Sequence, residues 1–417
     1  MLILGSKPKI LIVAKDKYPP FRVDVVDLFS ANLSKAYKLV WLMNAEQPGP
    51  NHIVHTEDED FFVIGRSNGR GRQLKNHIKT WHAHLAMLRR VLRSEFDVVQ
   101  CRDVMLLAPL YALAARRVGA VFCYWMSFPM EDSFIERGRM RIAEGGLGAL
   151  FAGWGRITYG HLARWTLYRC TLPIASAVFV QSRRMKKDVV SMGIEAAKVH
   201  PVPMGVNVEK YDGAIRQLPD AVYGDRKVVL YVGTLELARQ MEVPGRGVAM
   251  AMQKHPDMVF AVIGRHKHAE IERLMGPFVE LGVADRVRFF SHMPLDELFR
   301  HVRRADVCLA PYPEQPRMMA SATPTKTIEY VYLGGMIVAN RHPDQEEVLT
   351  GAQCGVLTDF SAQGFADGIE RALSCSREPD TAVFMAQWVR DNRSYKALAE
   401  GVSRVYNRLI TDSGPGI

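Results

Sequence analysis

The residues best suited to chemistry follow apolar runs in the second half of the chain. Gly233 ends one such run and is followed by Arg239. A glycine at a strand end lets backbone amides approach a ligand closely, and an arginine can hold a phosphate through two parallel hydrogen bonds. Gly264 and Arg265 repeat the arrangement after the next run. The alternative interpretation of both segments is a surface turn that carries a solvated cation.

A third segment combines a helix start with two charged side chains. The pair Pro324 and Thr325 predicts a helix that begins at this point and is capped by the threonine hydroxyl. Helix N-terminal amides attract anions, and Lys326 in the first turn adds positive charge. Glu329 lies one turn further on and can accept two hydrogen bonds from a sugar or ribose. The alternative is a capped surface helix whose charged side chains point to solvent.

A fourth segment, 150–169, mixes aromatic, aliphatic and arginine residues at helical spacing. Its apolar members are Leu150, Phe151, Trp154, Ile157, Leu162, Trp165, Leu167 and Tyr168, and its cations are Arg156, Arg164 and Arg169. Two interpretations stay open. The pattern is typical of a helix at a membrane interface, and equally of a core helix with arginines at its edges.

The elements that must position these residues alternate between β-branched runs and stretches of helical periodicity. This alternation predicts an α/β protein with two successive parallel sheets and ligands at the carboxyl ends of the strands. The predicted strands are 9–14, 37–43, 96–100, 120–124, 177–181, 227–232, 258–263, 287–290, 307–310 and 336–339. Helices are predicted at 23–35, 77–94, 106–118, 183–192, 248–254, 269–281, 294–305, 325–333, 363–374 and 387–409. The segment 212–226 lacks periodicity and is predicted to be a linker.

Composition excludes several classes of protein. Hydrophobic residues make up 48% and charged residues 24% of the 417 residues, which argues against global disorder. The six cysteines form no CxxC pair, so we expect reduced thiols rather than a zinc or redox site. The dinucleotide and P-loop motifs do not occur. No apolar run is long enough for a signal peptide or a transmembrane helix, which predicts a cytoplasmic protein.

Positive charge is concentrated in the first half of the chain. Residues 1–200 contain 29 Lys and Arg against 17 Asp and Glu, whereas the remainder contains 25 against 27. A one-sided basic surface predicts a polyanionic partner, which means nucleic acid, an anionic membrane or phosphorylated ligands. Nucleic acid is disfavoured because the sequence shows neither an RNP-like strand nor a compact recognition-helix pattern.

The third segment and the residues after it resemble a known family. The matching stretches are 324–330, Gly334-Gly335, 336–339, 346–349 and 355–357. They are similar to the donor side of retaining nucleotide-sugar glycosyltransferases with the GT-B fold, in particular bacterial polysaccharide mannosyl- and glucosyltransferases. The resemblance extends, in order, to Tyr18-Pro-Pro20, 203–207, 232–234 and 305–311.

The resemblance implies an architecture and an activity. The fold would be α/β of GT-B type, with two Rossmann-like domains that face a cleft. Residues 1–207 would bind the acceptor, residues 208–385 would bind the nucleotide sugar, and residues 386–417 would cross back to the first domain. The protein would transfer a hexose from a nucleoside diphosphate sugar to a hydroxyl, with retention, in polysaccharide or glycolipid biosynthesis.

The resemblance also implies roles on the donor side. The family holds the donor diphosphate with an Arg and a Lys five residues apart. Thr234 stands at the first of these positions and Arg239 at the second, so we hypothesise that Arg265 or Lys326 supplies the missing charge.

Glu329 matches the glutamate that binds the donor ribose. Ser321 stands where the family often has a glutamate that contacts the sugar. The same departure from glutamate is seen in family members that carry a Pro-Ser/Thr-Lys variant. Arg239 and Lys326 are expected to stabilise the leaving diphosphate, and Glu329 to position the donor. The predicted donor-binding set is completed by Gly233, Thr325 and Tyr330.

The acceptor side departs from the family pattern. Arg22-Val-Asp24 replaces a common Gly-Gly pair, and the stretch 124–129 lacks a common histidine. Acceptor-binding residues are therefore predicted from location alone, as Tyr18, Arg22, Trp125 and Ser127.

The resemblance implies chemistry without a resident cofactor or metal. The leaving phosphate would take the acceptor proton. The basic first half fits a lipid-linked acceptor and peripheral contact with the anionic inner face of the cytoplasmic membrane. Three alternatives stay open: an inactive GT-B-like partner subunit, a nucleic-acid-binding protein, and a GT-B epimerase or phosphorylase.

Overall fold

The chain divides into two compact α/β units. A computed structural model describes residues 7–69, 71–215, 222–313, 317–375 and 379–412. The first unit consists of the residues up to Pro203 together with the residues from Leu398 onward. The second unit is Met204–Ala397. Each unit is built on its own predominantly parallel sheet, which confirms the predicted fold class.

The first unit contains an eight-stranded sheet in the order β3-β4-β2-β1-β5-β6-β7-β8. All its strand pairs are parallel except β3 with β4. The strands are β1 Lys9–Tyr18, β2 Lys38–Pro48, β3 His52–His55, β4 Glu59–Arg66, β5 Val98–Arg102, β6 Val121–Met126, β7 Ala177–Val180 and β8 Val199–Pro201. The sequence analysis did not predict β3 and β4, although residues 61–64 of β4 form an uninterrupted apolar run.

Five helices of the first unit connect β4 through β8. They are α1 Arg72–Leu92, α2 Ala108–Arg117, α3 Met130–Ala143, α4 Leu147–Trp165 and α5 Arg183–Ser191. Side chains of α1, α2 and α5 share one buried cluster with one face of the sheet. The segment 166–171, which continues α4, joins that cluster through Leu167. These helices therefore form one layer on a single face.

A glycine seam holds α3 against α4. A Cβ atom on Gly153 would lie 2.7 Å from the Gly138 carbonyl oxygen, and one on Gly160 would lie 2.9 Å from the Glu131 carbonyl oxygen. Backbones this close leave no room for a side chain at either glycine, and Ile142 and Ile135 of α3 pack on these positions. The hairpin formed by α3 and α4 is therefore specified by its glycines.

The opposite face of the first sheet carries irregular helix and the end of the chain. The predicted regular helix over 23–35 is wrong: the chain forms π-helical turns at Asp24–Ser30 and a 3₁₀ turn at Leu33–Lys35. Its valines and aspartates have modest helix propensity. The returning helix is fixed by the Tyr406 hydroxyl, which donates to Gln100 Oε1 at 2.6 Å.

The second unit contains a six-stranded parallel sheet in the order β11-β10-β9-β12-β13-β14. Its strands are β9 Lys227–Val232, β10 Met258–Ile263, β11 Val287–Phe290, β12 Val307–Ala310, β13 Ile337–Asn340 and β14 Val356–Thr358. Its helices are α6 Val208–Ile215, α7 Glu242–Lys254, α8 His268–Glu280, α9 Leu295–Arg304, α10 Thr325–Tyr332, α11 Pro343–Gly351, α12 Ala362–Ser374 and α13 Pro379–Arg393. The last helix, α14 Tyr395–Asp412, begins in this unit.

Two sequence predictions fail in the second unit. The predicted linker begins inside α6, where the Tyr211 ring packs 4.4 Å from that of Phe299, and residues 216–221 lie outside the described residues. The single helix predicted over 387–409 is two helices. Ser394 separates them because its hydroxyl donates to the Arg390 carbonyl and accepts from the Ala397 amide.

A buried histidine between α1 and α2 makes stability depend on pH. His84 Nδ1 lies 2.8 Å from the Tyr111 hydroxyl, and burial lowers the pKa of His84 to about 4. Between pH 6.5 and 4 the unfolded chain binds a proton that the folded chain does not. We therefore expect the free energy of unfolding to fall by up to about 3 kcal/mol across this range.

Urea unfolding of wild type and of His84→Gln at pH 7 and pH 4.5 measures this effect. The variant should lose most of the difference between the two pH values. The same pH dependence in both proteins would contradict the assignment to His84.

Candidate functional site

A pocket lies at the carboxyl ends of β9 and β12, entirely within the second unit. It encloses about 260 Å³. Its walls are Tyr231, Val232, Gly233, Thr234, Arg239, Leu309, Ala310, Pro311, Tyr312, Thr323, Pro324, Thr325, Lys326, Thr327 and Gln345. This is the edge at which open α/β sheets bind ligands. Five of the predicted donor-side residues line it: Gly233, Thr234, Arg239, Thr325 and Lys326.

Gly233, directly after β9, was predicted to let its backbone amide approach a ligand, but the structure gives a different reason for the glycine. The Gly233 amide donates to the Ile263 carbonyl at 3.0 Å and is therefore already engaged. A Cβ on Gly233 would lie 2.7 Å from the Tyr231 hydroxyl oxygen, and one on Gly264 would lie 2.3 Å from the Gly233 carbonyl oxygen. Gly264 therefore lets the end of β10 approach the end of β9, whereas Gly233 leaves room for the Tyr231 hydroxyl.

Arg239 contributes positive charge to the pocket from a 3₁₀ turn after β9. Its guanidinium lies 4.8 Å from the ring centroid of Tyr312, a distance that permits a cation–π interaction. Arg273 donates to the Leu235 carbonyl at 3.1 Å and ties down the loop that carries the turn. Burial raises the pKa of Tyr312, so this hydroxyl remains protonated and neutral beside the cation.

The N-terminus of α10 forms the opposite wall. Thr325 is its first residue and Pro324 occupies the cap position, without a side-chain cap. The prediction that Thr325 caps the helix is therefore wrong, because its hydroxyl lies one residue inside the cap. The first amides of a helix have no intrahelical partner, and together they favour an anion.

Lys326 and Glu329 form an ion pair on the first turn of α10. Lys326 Nζ lies 2.8 Å from Glu329 Oε2. Lys326 lines the pocket, whereas Glu329 is not part of the pocket lining. The carboxylate thus orients the ammonium in the absence of a ligand.

A chain of buried hydrogen bonds that the sequence did not reveal positions both walls. Thr327 donates to Gln345 Oε1 at 2.7 Å, and Gln345 donates to the Asn340 carbonyl at 3.0 Å. Asn340 accepts from the Tyr312 amide and donates to the Tyr312 carbonyl, at 2.7 and 2.9 Å. The signal that could have indicated it is polar Asn340 at the end of an apolar strand.

Three other donor-side predictions lie outside the pocket lining. Tyr330 is buried in the core, where its hydroxyl accepts from the Val232 amide at 2.9 Å. It therefore positions the end of β9 instead of facing the pocket. Arg265 is exposed on the loop after β10, and Ser321 is buried in a 3₁₀ turn before α10.

The predicted acceptor residues surround the strand ends of the first unit. Trp125 is a core residue whose ring packs 5.0 Å from Phe29, because β6 is covered on both faces. Ser127 is also buried, and both its amide and its hydroxyl donate to Asp103. Half-buried Tyr18 packs 5.1 Å from Phe61. Trp125 and Ser127 are thus placed inside the unit rather than on an open surface.

Arg22, the remaining acceptor candidate, belongs to a strand-end charge cluster, defined as Asp16, Arg22, Asp24, Arg102 and Asp103. Arg102 is fully buried and donates to Asp16 at 3.0 Å and to Asp24 at 2.5 Å. Arg22 lies 3.3 Å from Asp24. Burial raises the pKa of Asp103. Burial also acts to raise the pKa of Asp24, but the neighbouring guanidiniums outweigh it and leave that pKa below its usual value.

Comparison with known families decides the assignment. Residues 26–205 match the Glycosyl transferase 4-like domain, and residues 226–375 match Glycosyl transferases group 1. The chain belongs to the GT-B nucleotide-sugar glycosyltransferases. The pocket of this GT-B protein lies within the second matched region, and Arg102 and Asp103 of the strand-end charge cluster lie within the first.

Similar proteins carry related names. A D-inositol 3-phosphate glycosyltransferase of Corynebacterium jeikeium is 28% identical over 193 residues, 44% of each chain. A GDP-mannose-dependent alpha-(1-6)-phosphatidylinositol monomannoside mannosyltransferase of Mycolicibacterium smegmatis is 25% identical over 265 residues, 57% of this chain and 66% of that protein. The matches thus span about half the length of these curated relatives.

Solved structures agree on the fold. Sucrose-phosphate synthase of Thermosynechococcus elongatus has a TM-score of 0.63 at 15% identity and covers 97% of this chain and 100% of its own. An E. coli trehalose-6-phosphate structure bound with UDP-2-fluoro glucose has a TM-score of 0.64 at 14% identity, covering 95% and 99%. Both matches extend over both units of this GT-B protein.

The described ranges contain neither a candidate membrane-spanning helix nor a cluster of metal-ligating side chains. No helix in the described ranges combines the length and the apolar character that a membrane span needs. Within the same ranges, no group of three or more His, Cys, Asp or Glu side chains is arranged to hold a metal ion. The expectation that no metal is required stays a prediction.

Proposed function

We propose that this protein transfers a sugar from a nucleoside diphosphate sugar to a hydroxyl of an acceptor, with retention at the anomeric carbon. The observation that carries the proposal is the convergence of Arg239, Lys326 and the N-terminus of α10 on one pocket. Three sources of positive potential at one strand edge match the charge of a diphosphate. The cavity is smaller than most complete small-molecule sites, which agrees with its holding part of the donor.

The chemistry follows from where charge develops. The bond between the anomeric carbon and the phosphate oxygen breaks, and its electron pair leaves with the nucleoside diphosphate. Arg239, Lys326 and the helix amides stabilise that charge. The acceptor oxygen bonds to the anomeric carbon, and its proton passes to the departing phosphate oxygen.

The composition of the pocket wall supports this route with retention. Among the described residues that line it, none is Asp or Glu. Neither a carboxylate nucleophile nor a carboxylate general base is therefore present among the described residues of this wall. A phosphate oxygen that acts as the base removes the need for one.

The acceptor we propose is a lipid-linked glycan or glycolipid that carries phosphate. The excess of 29 Lys and Arg over 17 Asp and Glu in residues 1–200 favours an anionic acceptor. The names of the relatives, which refer to inositol phosphate and phosphatidylinositol mannoside, support the same class.

Thermal unfolding with UDP, GDP, ADP and dTDP tests the donor site. One nucleotide is expected to raise the Tm selectively, because a ligand at about 100 times its Kd adds about 2.7 kcal/mol to the stability of the folded state. Glu329→Ala should weaken the shift, since Lys326 loses its orienting partner. A protein that none of the four stabilises would contradict the proposal, and nucleotide binding without sugar transfer would indicate a non-catalytic partner subunit.

A further inference from the structure

The helix layer of the first unit leaves a row of apolar side chains in solvent. On α1, the exposed members are Leu74, Ile78, Trp81, Leu85 and Leu92. Their spacing of 4, 7, 11 and 18 residues from the first places them on one side of the helix. The other side of α1 contributes Met87 and Val91 to the core. The exposed stripe is thus separate from the buried one.

Helix α4 repeats the arrangement. Leu147, Phe151 and Trp154 are 76%, 75% and 58% exposed, and Leu162 and Trp165 continue the same side of the helix. The buried residues of α4 are Gly153, Gly160 and Ala163, and both glycines lie at the seam with α3. The large apolar side chains therefore point away from the seam.

Helix α2 joins the two stripes. It packs against α1 through the contact between Tyr111 and His84, and it shares the core cluster with Leu167 of the segment that continues α4. Leu110 and Leu113 are exposed on it. Together, the outer sides of α1, α2 and α4 are here called the helical face. It carries 13 of the 25 large apolar side chains that are exposed among the described residues.

The charges of the helical face have one sign. The three helices contain nine Lys and Arg residues and no Asp or Glu. They are Arg72, Lys75, Lys79, Arg89, Arg90, Arg116, Arg117, Arg156 and Arg164, of which Arg90 and Arg164 are paired with Glu95 and Asp132 outside these helices. Long cationic side chains beside tryptophans suit a surface with an apolar interior and anionic headgroups. A second copy of the chain would instead bring like charges together.

We propose that the helical face docks on an anionic lipid bilayer, with the stripes of α1 and α4 inserted at the headgroup level and the cations on the lipid phosphates. Insertion of apolar side chains and attraction to anionic lipid act together in such peripheral binding. Docking does not depend on the proposed sugar transfer, so each can fail alone.

Vesicle flotation with the full chain tests the proposal. Wild type should bind vesicles of phosphatidylcholine mixed with phosphatidylglycerol, bind phosphatidylcholine alone weakly, and dissociate at high salt. Phe151→Ser with Trp154→Ser, and separately Trp81→Ser with Leu85→Ser, should each lower the partition coefficient at least about tenfold. Val279→Ser with Phe384→Ser removes exposed apolar side chains from the second unit and should leave binding unchanged.

Fold and donor site are monitored in the same variants. Each should keep the wild-type Tm and the same nucleotide-induced shift, if wild type shows one, so that lost flotation reports the helical face alone. Failure of wild type to bind anionic vesicles would overturn the proposal, as would equal binding by the helical-face variants. A wild-type dimer that these variants convert to a monomer would show that the face contacts a second copy, which also overturns it.

Discussion

Replacing Arg239 and Lys326 together with alanine is expected to lower kcat/KM for sugar transfer by about 10³- to 10⁴-fold, and each single substitution by about 10²-fold. Both side chains line the pocket at the strand edge. Each substitution removes an interaction that is strongest in the transition state, because the departing diphosphate gains negative charge there. Steady-state kinetics with a donor that wild type accepts measures the effect.

The matched control is Arg246→Ala. Arg246 pairs with Glu280 on the surface of the same unit, 2.5 Å away and outside the pocket lining. The Arg246→Ala substitution removes a guanidinium that lies outside the pocket lining, so we expect it to leave kcat/KM unchanged. If the double variant keeps more than about a tenth of the wild-type value, these cations do not stabilise the leaving group.

Lys326 allows a finer test because of its partner. Lys326→Ala leaves Glu329 as an uncompensated carboxylate close to the donor phosphates, where like charge would repel them. Adding Glu329→Gln to Lys326→Ala should therefore recover part of the lost donor affinity, seen as a lower KM. Unchanged affinity would contradict an influence of the 2.8 Å ion pair on the donor, and a further loss would indicate that Glu329 itself contacts the donor, as predicted for the ribose-binding glutamate.

The second large effect concerns stability of the first unit. Arg102→Met is expected to lower the free energy of unfolding by about 3–5 kcal/mol, because it leaves two buried or half-buried carboxylates without their guanidinium. Asp24 and Asp16 both accept hydrogen bonds from Arg102. Urea unfolding at pH 7 measures the loss.

A double variant separates lost charge pairing from lost packing. Asp24→Asn together with Arg102→Met removes one of the stranded charges and should recover part of the stability. The low pKa of Asp24 in the folded state makes its stabilising contribution present at neutral pH and lost as the pH falls below about 4. Arg102→Met should therefore show less acid sensitivity than wild type, and unchanged acid sensitivity would contradict the role of this pair.

The pocket was largely predictable because strand ends are visible in sequence. The apolar run before Gly233 and the Pro-Thr helix start place Arg239 and Lys326 at the same edge once the sheet is parallel. The local role of glycine was less predictable. The Gly233 amide bonds to Ile263, and that partner depends on how β9 and β10 are paired.

The predicted acceptor residues Trp125 and Ser127 are buried against partners that the sequence did not reveal, because it does not show contacts between separate segments. The uninterrupted apolar run of β6 indicates a strand that is covered on both faces, but the residues near its end were assigned to the acceptor site from location alone. Trp125 is buried against Phe29 and Ser127 against Asp103. The hydrogen bonds from Thr327 to Gln345 and from Asn340 to Tyr312 were missed because they link separate segments.

Nucleoside diphosphate release from a panel of nucleotide sugars, measured with membrane lipid extract as acceptor, tests the central claim most directly. The account predicts release from one class of donor by wild type, a product with the anomeric configuration of that donor, and loss of at least about 99.9% of the rate in the Arg239→Ala, Lys326→Ala variant. Absence of release from every donor, or release that this variant leaves intact, would contradict it.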